Sequence, residues 1–171
     1  MTSEIAGPHV PATPETGPAG LHRVSLAVLK SRAQAGVDAP AVTIEVFLSG
    51  GLPTISITGL AETAVRESKD RVRGAILSSG FRFPQERIAV SLGPADLRKT
   101  GGRFDLAIAL GILAAQRVIP ADEFDACEFY GELGMTGELH PVPGMLPAAA
   151  FSAAGSSPGT GCRSPFMPSS P

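Results

Sequence analysis

Tryptophan is absent from the 171 residues, tyrosine occurs once and cysteine only twice. Cys127 and Cys162 are too few and too far apart for a disulfide framework or a paired-cysteine zinc knuckle, which leaves isolated thiols. His9, His22 and His140 share no metal-ligand spacing. Neither sign of charge dominates, because 14 Lys plus Arg nearly balance 16 Asp plus Glu. Together with a hydrophobic content of 43%, that balance excludes a charge-driven disordered chain. Glycine is plentiful at 20 residues but has no triplet period, so a collagen-like chain is excluded too. The longest unbroken apolar run, Leu106 to Ala115, has ten residues. A bilayer crossing takes roughly 20. With no basic stretch leading into an apolar one near Met1, the expectation is a cytoplasmic protein with no membrane partner.

What is there divides the chain in three. Of the 16 prolines, four fall in residues 1–20 and four in 156–171. Such ends have no apolar period to bury. Residues 1–22 are therefore expected to be a disordered extension, 23–155 a single domain, and 156–171 a low-complexity, non-native tail. A domain of that size buries about two thirds of its unfolded surface.

Within the domain, Val24–Leu29, Ala41–Leu48, Pro53–Thr58 and Arg87–Leu92 read as strands. Val42, Ile44, Val46 and Leu48 alternate on one face of the second. From Ala61 to Ser79 the period changes to three and four, with Gly80 as its stop, which predicts a helix. Phe104 to Gln116 is a second helix, apolar nearly all round and so expected to be sandwiched. Glu128–Leu133 and Glu138–Pro141 flank Gly134-Met135-Thr136-Gly137 as a hairpin, and a third helix is expected over Gly144–Ala154. This order predicts an α+β fold, a sheet with helices mainly on one face.

Chemical motifs are scarce. Lys30, Lys69 and Lys99 follow Leu29, Ser68 and Arg98, so no Walker A sequence is present, nor a GxSxG elbow or HExxH. Nucleotide hydrolysis is not expected of this chain, and no cofactor, metal or catalytic residue is assigned to it. Charge is unevenly spread, with 13 bases against eight acids over Leu21–Arg117 but six acids and no base over Val118–Gly155. Arg66, Lys69 and Arg73 share a face of the first helix, and Arg98, Lys99 and Arg103 crowd Gly101-Gly102. Both groups are candidates for phosphate, hence for DNA. The plainer readings are i,i+4 pairs, Glu62 with Arg66 and Glu67 with Arg71, on a solvated face, and a tight turn at the glycines.

A set of ordered motifs carries a family likeness. Gly51-Leu52-Pro53, Gly59-Leu60, Ala64-Val65-Arg66-Glu67-Ser68, Arg71-Val72-Arg73, Ser79-Gly80-Phe81, Phe83-Pro84 and Pro94-Ala95-Asp96-Leu97 are the first of them. Gly101-Gly102-Arg103-Phe104-Asp105-Leu106, Ala109-Leu110-Gly111-Ile112-Leu113-Ala114, Gly131-Glu132-Leu133, Gly137-Glu138-Leu139 and Pro143-Gly144 follow. From about Ser25 to Gly155 the chain resembles the N-terminal domain of the YifB/ComM family of magnesium-chelatase-related AAA+ ATPases. The resemblance implies a fold like the proteolytic domain of Lon protease, with Arg103 and Leu146 where Lon has its serine and lysine, hence no Ser-Lys dyad.

It further implies that ATP and Mg2+ belong to an AAA+ module missing from this chain. Other implications are self-association into a ring, a hexamer in the family, and DNA processing such as branch migration in natural transformation. The likeness stops after Gly155, so a truncated or frameshifted chain is expected, with exposed apolar surface. Three readings follow: a non-catalytic interaction domain, a non-functional fragment, and a residual peptidase recruiting residues such as Ser68 and Lys69. Adjacent helix positions diverge by about 100° and do not face each other, which weighs against the last.

Overall fold

The computed structural model describes residues 25–59, 63–121 and 124–155. The proposed extension and tail, residues 1–22 and 156–171, lie outside the described residues. Three strands come first, β1 (Ser25–Arg32), β2 (Ala41–Ser49) and β3 (Thr54–Thr58), followed by helix α1 (Thr63–Ser78). Strand β4 (Arg87–Gly93), helix α2 (Asp105–Ala115), the two-residue strands β5 (Glu132–Leu133) and β6 (Leu139–His140), and helix α3 (Met145–Gly155) complete the order.

The period-2 alternation read from the sequence decides the sheet. Four strands lie in the order β1-β2-β4-β3, with β1–β2 and β2–β4 antiparallel and β3–β4 parallel. Ala27 pairs with Val46 and Val46 with Val90, so the inward residues of three strands form rows. The parallel step from β3 to β4 is made through α1, as a crossover requires. Ile44, Val46, Ile88 and Val90 are fully buried against Val72 and Ile76 of α1 and Ile108 and Ile112 of α2. Each such side chain contributes about 1.5–3 kcal/mol on burial. The opposite face of the sheet carries exposed Leu26, Val28, Lys30, Thr43 and Glu45. The fold is α+β, with α1 and α2 on one face of a mixed sheet.

Helix α2 is sandwiched, as its all-round apolarity predicts, and Gly111 is the reason it fits. A Cβ there would stand 2.6 Å from Val46 Cγ2 and 3.1 Å from Leu29 Cδ1. At the end of α1, Gly80 takes φ 83°, and the Phe81 N–H donates to Ile76 O at 3.1 Å, closing the helix as expected.

The expected strand Glu128–Leu133 is corrected: only its last two residues pair with β6. Its first half serves another partner, the outer edge of β1, where Glu128 bridges Lys30 and the Phe129 N–H donates to Lys30 O at 2.9 Å. Between the halves Gly131 donates to Arg103 O and accepts from the Leu106 N–H, so the ladder cannot run on.

Candidate functional site

The loop from Gly93 to Phe104 is the better-placed of the two candidates for phosphate, and the structure turns two of its cations inward. Lys99 is fully buried. Its Nζ donates to Pro94 O and, at 2.9 Å, to Leu97 O, so the ammonium gathers its own loop. Burial lowers the Lys99 pKa, with Asp96 pulling it the other way. Arg103 is 4% exposed. Its Nη1 donates to Arg32 O at 3.2 Å and its Nη2 to Pro143 O, which ties the end of β1 to the turn before α3. Burial lowers the Arg103 pKa, against a pull from Tyr130.

The structure thus turns Lys99 and Arg103, two of the candidates for phosphate, inward, where they fasten the loop to backbone carbonyls. Each of these buried cations has exchanged water for two backbone carbonyls. The glycines are accounted for in the same way. Gly101 takes φ 70°, and a Cβ on Gly102 would lie 2.6 Å from Glu132 Oε2, so a carboxylate already fills the space an anion would need.

Two ion pairs give the region its rigidity. Asp105, fully buried at the start of α2, accepts from Arg71 Nε at 2.8 Å and from the Leu133 N–H at 3.3 Å, joining α1, α2 and β5. Arg71, read from the sequence as the i,i+4 partner of Glu67, reaches this deeper carboxylate, with the charge of Glu67 also acting on it. Burial pushes the Asp105 carboxyl above its ordinary value, with Arg71 and the Leu133 amide pulling it down. At the edge of the sheet Arg32 Nε lies 2.9 Å from Glu128 Oε2, and the Tyr130 hydroxyl donates to the same oxygen. Burial pulls the Glu128 carboxyl up, yet hydrogen bonds from Arg32 and Tyr130 outweigh it and leave the pKa lowered. Burial and Glu128 together raise Tyr130 well above its usual value. Sequence reading missed both pairs, because Arg71 with Asp105 and Arg32 with Glu128 lie 34 and 96 positions apart.

Of the six candidate cations, those left at the surface are the three of α1 and one of the loop. Arg66 and Arg73 are exposed, Lys69 is half-buried, and Arg98 is exposed. The Arg73 guanidinium lies 4.8 Å from the centroid of the Phe83 ring, which fixes its direction. Exposed Glu67 and Asp70 interleave the trio, so the face is mixed in charge. Ser68 is fully buried and Lys69 is not, which leaves no paired nucleophile and base there. Glu62 and Asp122, with Glu123, lie outside the described residues. Among the described residues no three His, Cys, Asp or Glu side chains converge to hold a metal ion. None of the described helices is long and apolar enough to cross a membrane.

The described residues thus form an α+β domain whose buried charges fasten loops and helices to one another. Residues 44–159 match the family described as subunit ChlI of Mg-chelatase, and the chain belongs to that family. It is 52% identical over 125 residues to competence protein ComM of Haemophilus influenzae, covering 73% of this chain and 25% of that protein. Against the protein YifB it is 50% identical in Salmonella typhimurium and 48% in Escherichia coli, each over 126 residues, 74% of this chain and 25% of the relative. The chain thus spans about a quarter of the length of these relatives. Magnesium, which the family description names, meets no converging ligand set among the described residues.

Proposed function

We propose that this chain is a non-catalytic domain of a YifB/ComM-type ATPase, contributing to DNA processing through assembly into a ring or through contact with DNA. Hydrolysis of ATP with Mg2+ would belong to an AAA+ module outside this sequence. The reading is supported by the division of its cations: Lys99 and Arg103 are spent on carbonyls, while Arg66, Lys69 and Arg73 remain on the open side of α1. Peptidase activity is not part of the proposal. Arg103, at the place a Lon-like serine would take, is locked between Arg32 O and Pro143 O, and Leu146, at the place of the lysine, is 86% exposed and apolar.

The test is anisotropy of a labelled duplex and a labelled single strand titrated with the chain over a series of salt concentrations. Binding should weaken with salt, and the triple variant Arg66→Ala, Lys69→Ala, Arg73→Ala should reduce both affinity and salt slope, by about 0.9 in slope for every duplex phosphate that is no longer neutralised. Unchanged affinity in that variant would remove α1 as the DNA face. Size-exclusion chromatography of the same protein tests the ring.

A second reading, a fragment without function, draws on one observation. Helix α3 leaves Met145, Leu146 and Phe151 exposed. A cooperative melting transition in the isolated chain would argue against it.

A further inference from the structure

The four-stranded sheet ends in β1 on one side and β3 on the other, and the two edges differ. At β1 the edge is closed: the Phe129 N–H donates to Lys30 O, Glu128 bridges Lys30, and Arg32 holds Glu128 there by an ion pair. Strand β1 also carries two cations, Lys30 and Arg32, a charge pattern that discourages edge-to-edge pairing. Strand β3 has none of these protections. Thr54–Thr58 contains no charge and no proline, and its register with β4 runs through all five residues without a bulge. Among the described residues no backbone group outside β4 bonds to it. The alternate N–H and C=O groups that turn away from β4 are left as a row of open donors and acceptors.

The apolar rows are unfinished at the same edge. Ile55 pairs with Ile88 and Ile57 with Val90; Ile88 and Val90 are fully buried, whereas Ile55 and Ile57 remain half-buried. Thr54, Ser56 and Thr58 fall on the opposite face, in register with Arg87, Ala89 and Ser91. The strand itself points to its occupant, because Thr54-Ile55-Ser56-Ile57-Thr58 reads alike in either direction. An antiparallel pair of two such strands about a two-fold axis at Ser56 sets Thr54 opposite the second copy's Thr58, Ile55 opposite its Ile57 and Ser56 opposite its Ser56. Isoleucine then meets isoleucine on the core face and small hydroxyl residues meet their like on the other, with no like charges opposed. A contact of this length is small, so the dimer it makes is reversible and concentration-dependent.

We propose that the outer edge of β3 docks the same edge of a second copy, antiparallel and in that register, joining the two sheets into one. A two-fold contact of this kind closes on itself and does not depend on the ring or DNA readings. Sedimentation velocity of the full chain from micromolar to near-millimolar concentration should show a reversible monomer–dimer equilibrium. Hydrogen exchange should show amides in residues 54–58 gaining protection as the dimer forms. Thr54→Lys with Thr58→Lys sets lysine opposite lysine at both ends of the contact and should weaken the dimer at least about tenfold. Thr54→Lys with Thr58→Glu sets lysine opposite glutamate and should bring the dimer back to within about threefold of the parent. Both variants lose the bond from the Thr58 hydroxyl to Val90 O, so its effect on the fold is common to them and drops out of the comparison. A parent that stays monomeric, or protection at 54–58 that does not change with concentration, would overturn the proposal. So would association that the double-lysine variant leaves intact, or a lysine–glutamate variant that dimerises no better than the double-lysine one.

Discussion

Arg117 and Asp105 show how far a single residue's cost depends on what surrounds it. Arg117 closes α2 at φ 61°. Replacing it by glycine relieves a left-handed backbone that costs a non-glycine residue about 1–2 kcal/mol. It also removes a cation from the C-terminal end of α2, worth about 0.3–1 kcal/mol. Urea denaturation of Arg117→Gly should therefore give an unchanged or slightly raised midpoint. A clear fall would mean that the side chain is held by interactions within the fold. The opposite holds at Asp105, whose carboxylate is fully buried beside Arg71. Arg71→Ala leaves that charge without its cation and should cost about 3 kcal/mol or more near neutral pH. Because burial already raises the Asp105 pKa, the folded state of this variant binds a proton that the unfolded chain releases. Its deficit should accordingly shrink as pH is lowered towards about 4, the unfolded carboxyl value. A deficit that stays constant with pH would show that Arg71 acts through packing alone.

At the scale of elements, the α2–sheet contact is the tightest joint. Gly111→Ala would drive a methyl into Val46 and Leu29, and should destabilise by about 1–3 kcal/mol in thermal melts. The joint between β1 and the segment before β5 is held by charge instead. Glu128 titrates below its usual range, so its contribution is present at neutral pH and is lost as pH falls through the lowered folded value. The difference in stability between the parent and Glu128→Gln should vanish progressively below about pH 4.5 as the parent's own carboxyl protonates, measured by denaturation at several pH values. Elements of this kind were legible where periodicity carried them: Val42, Ile44, Val46 and Leu48 announced β2, and Gly80 announced the end of α1. The split of residues 128–133 between the β1 edge and a short hairpin was not legible, because no local pattern tells which partner a strand will take. Nor was the fate of Lys99 and Arg103. Their sequence context, cations beside paired glycines, is shared by phosphate loops and by loops stapled to their own carbonyls, and only tertiary burial separates the two.

Over the whole molecule, the apolar core is built by the sheet and two helices, and α3 is among the elements that leave large apolar side chains exposed. Ala148 is fully buried and Ser152 hydrogen-bonds to Glu128, so the helix is anchored along one line. Met145 and Phe151 are each 42% exposed, and Leu146 more than either. Exposed apolar side chains such as Leu146 favour non-specific association or contact with a partner. Since Leu146, 86% exposed, contributes little burial to the fold, Leu146→Ser should change stability by no more than about 0.5 kcal/mol. The same variant should raise the monomer fraction at high protein concentration, read by light scattering beside a thermal melt. A melt lowered by several degrees would show instead that α3 is packed more deeply than its exposure indicates. An unchanged monomer fraction with an unchanged melt would show that Leu146 does not drive association, and would leave the sheet's open face, with Leu26 and Val28, as the surface to vary next.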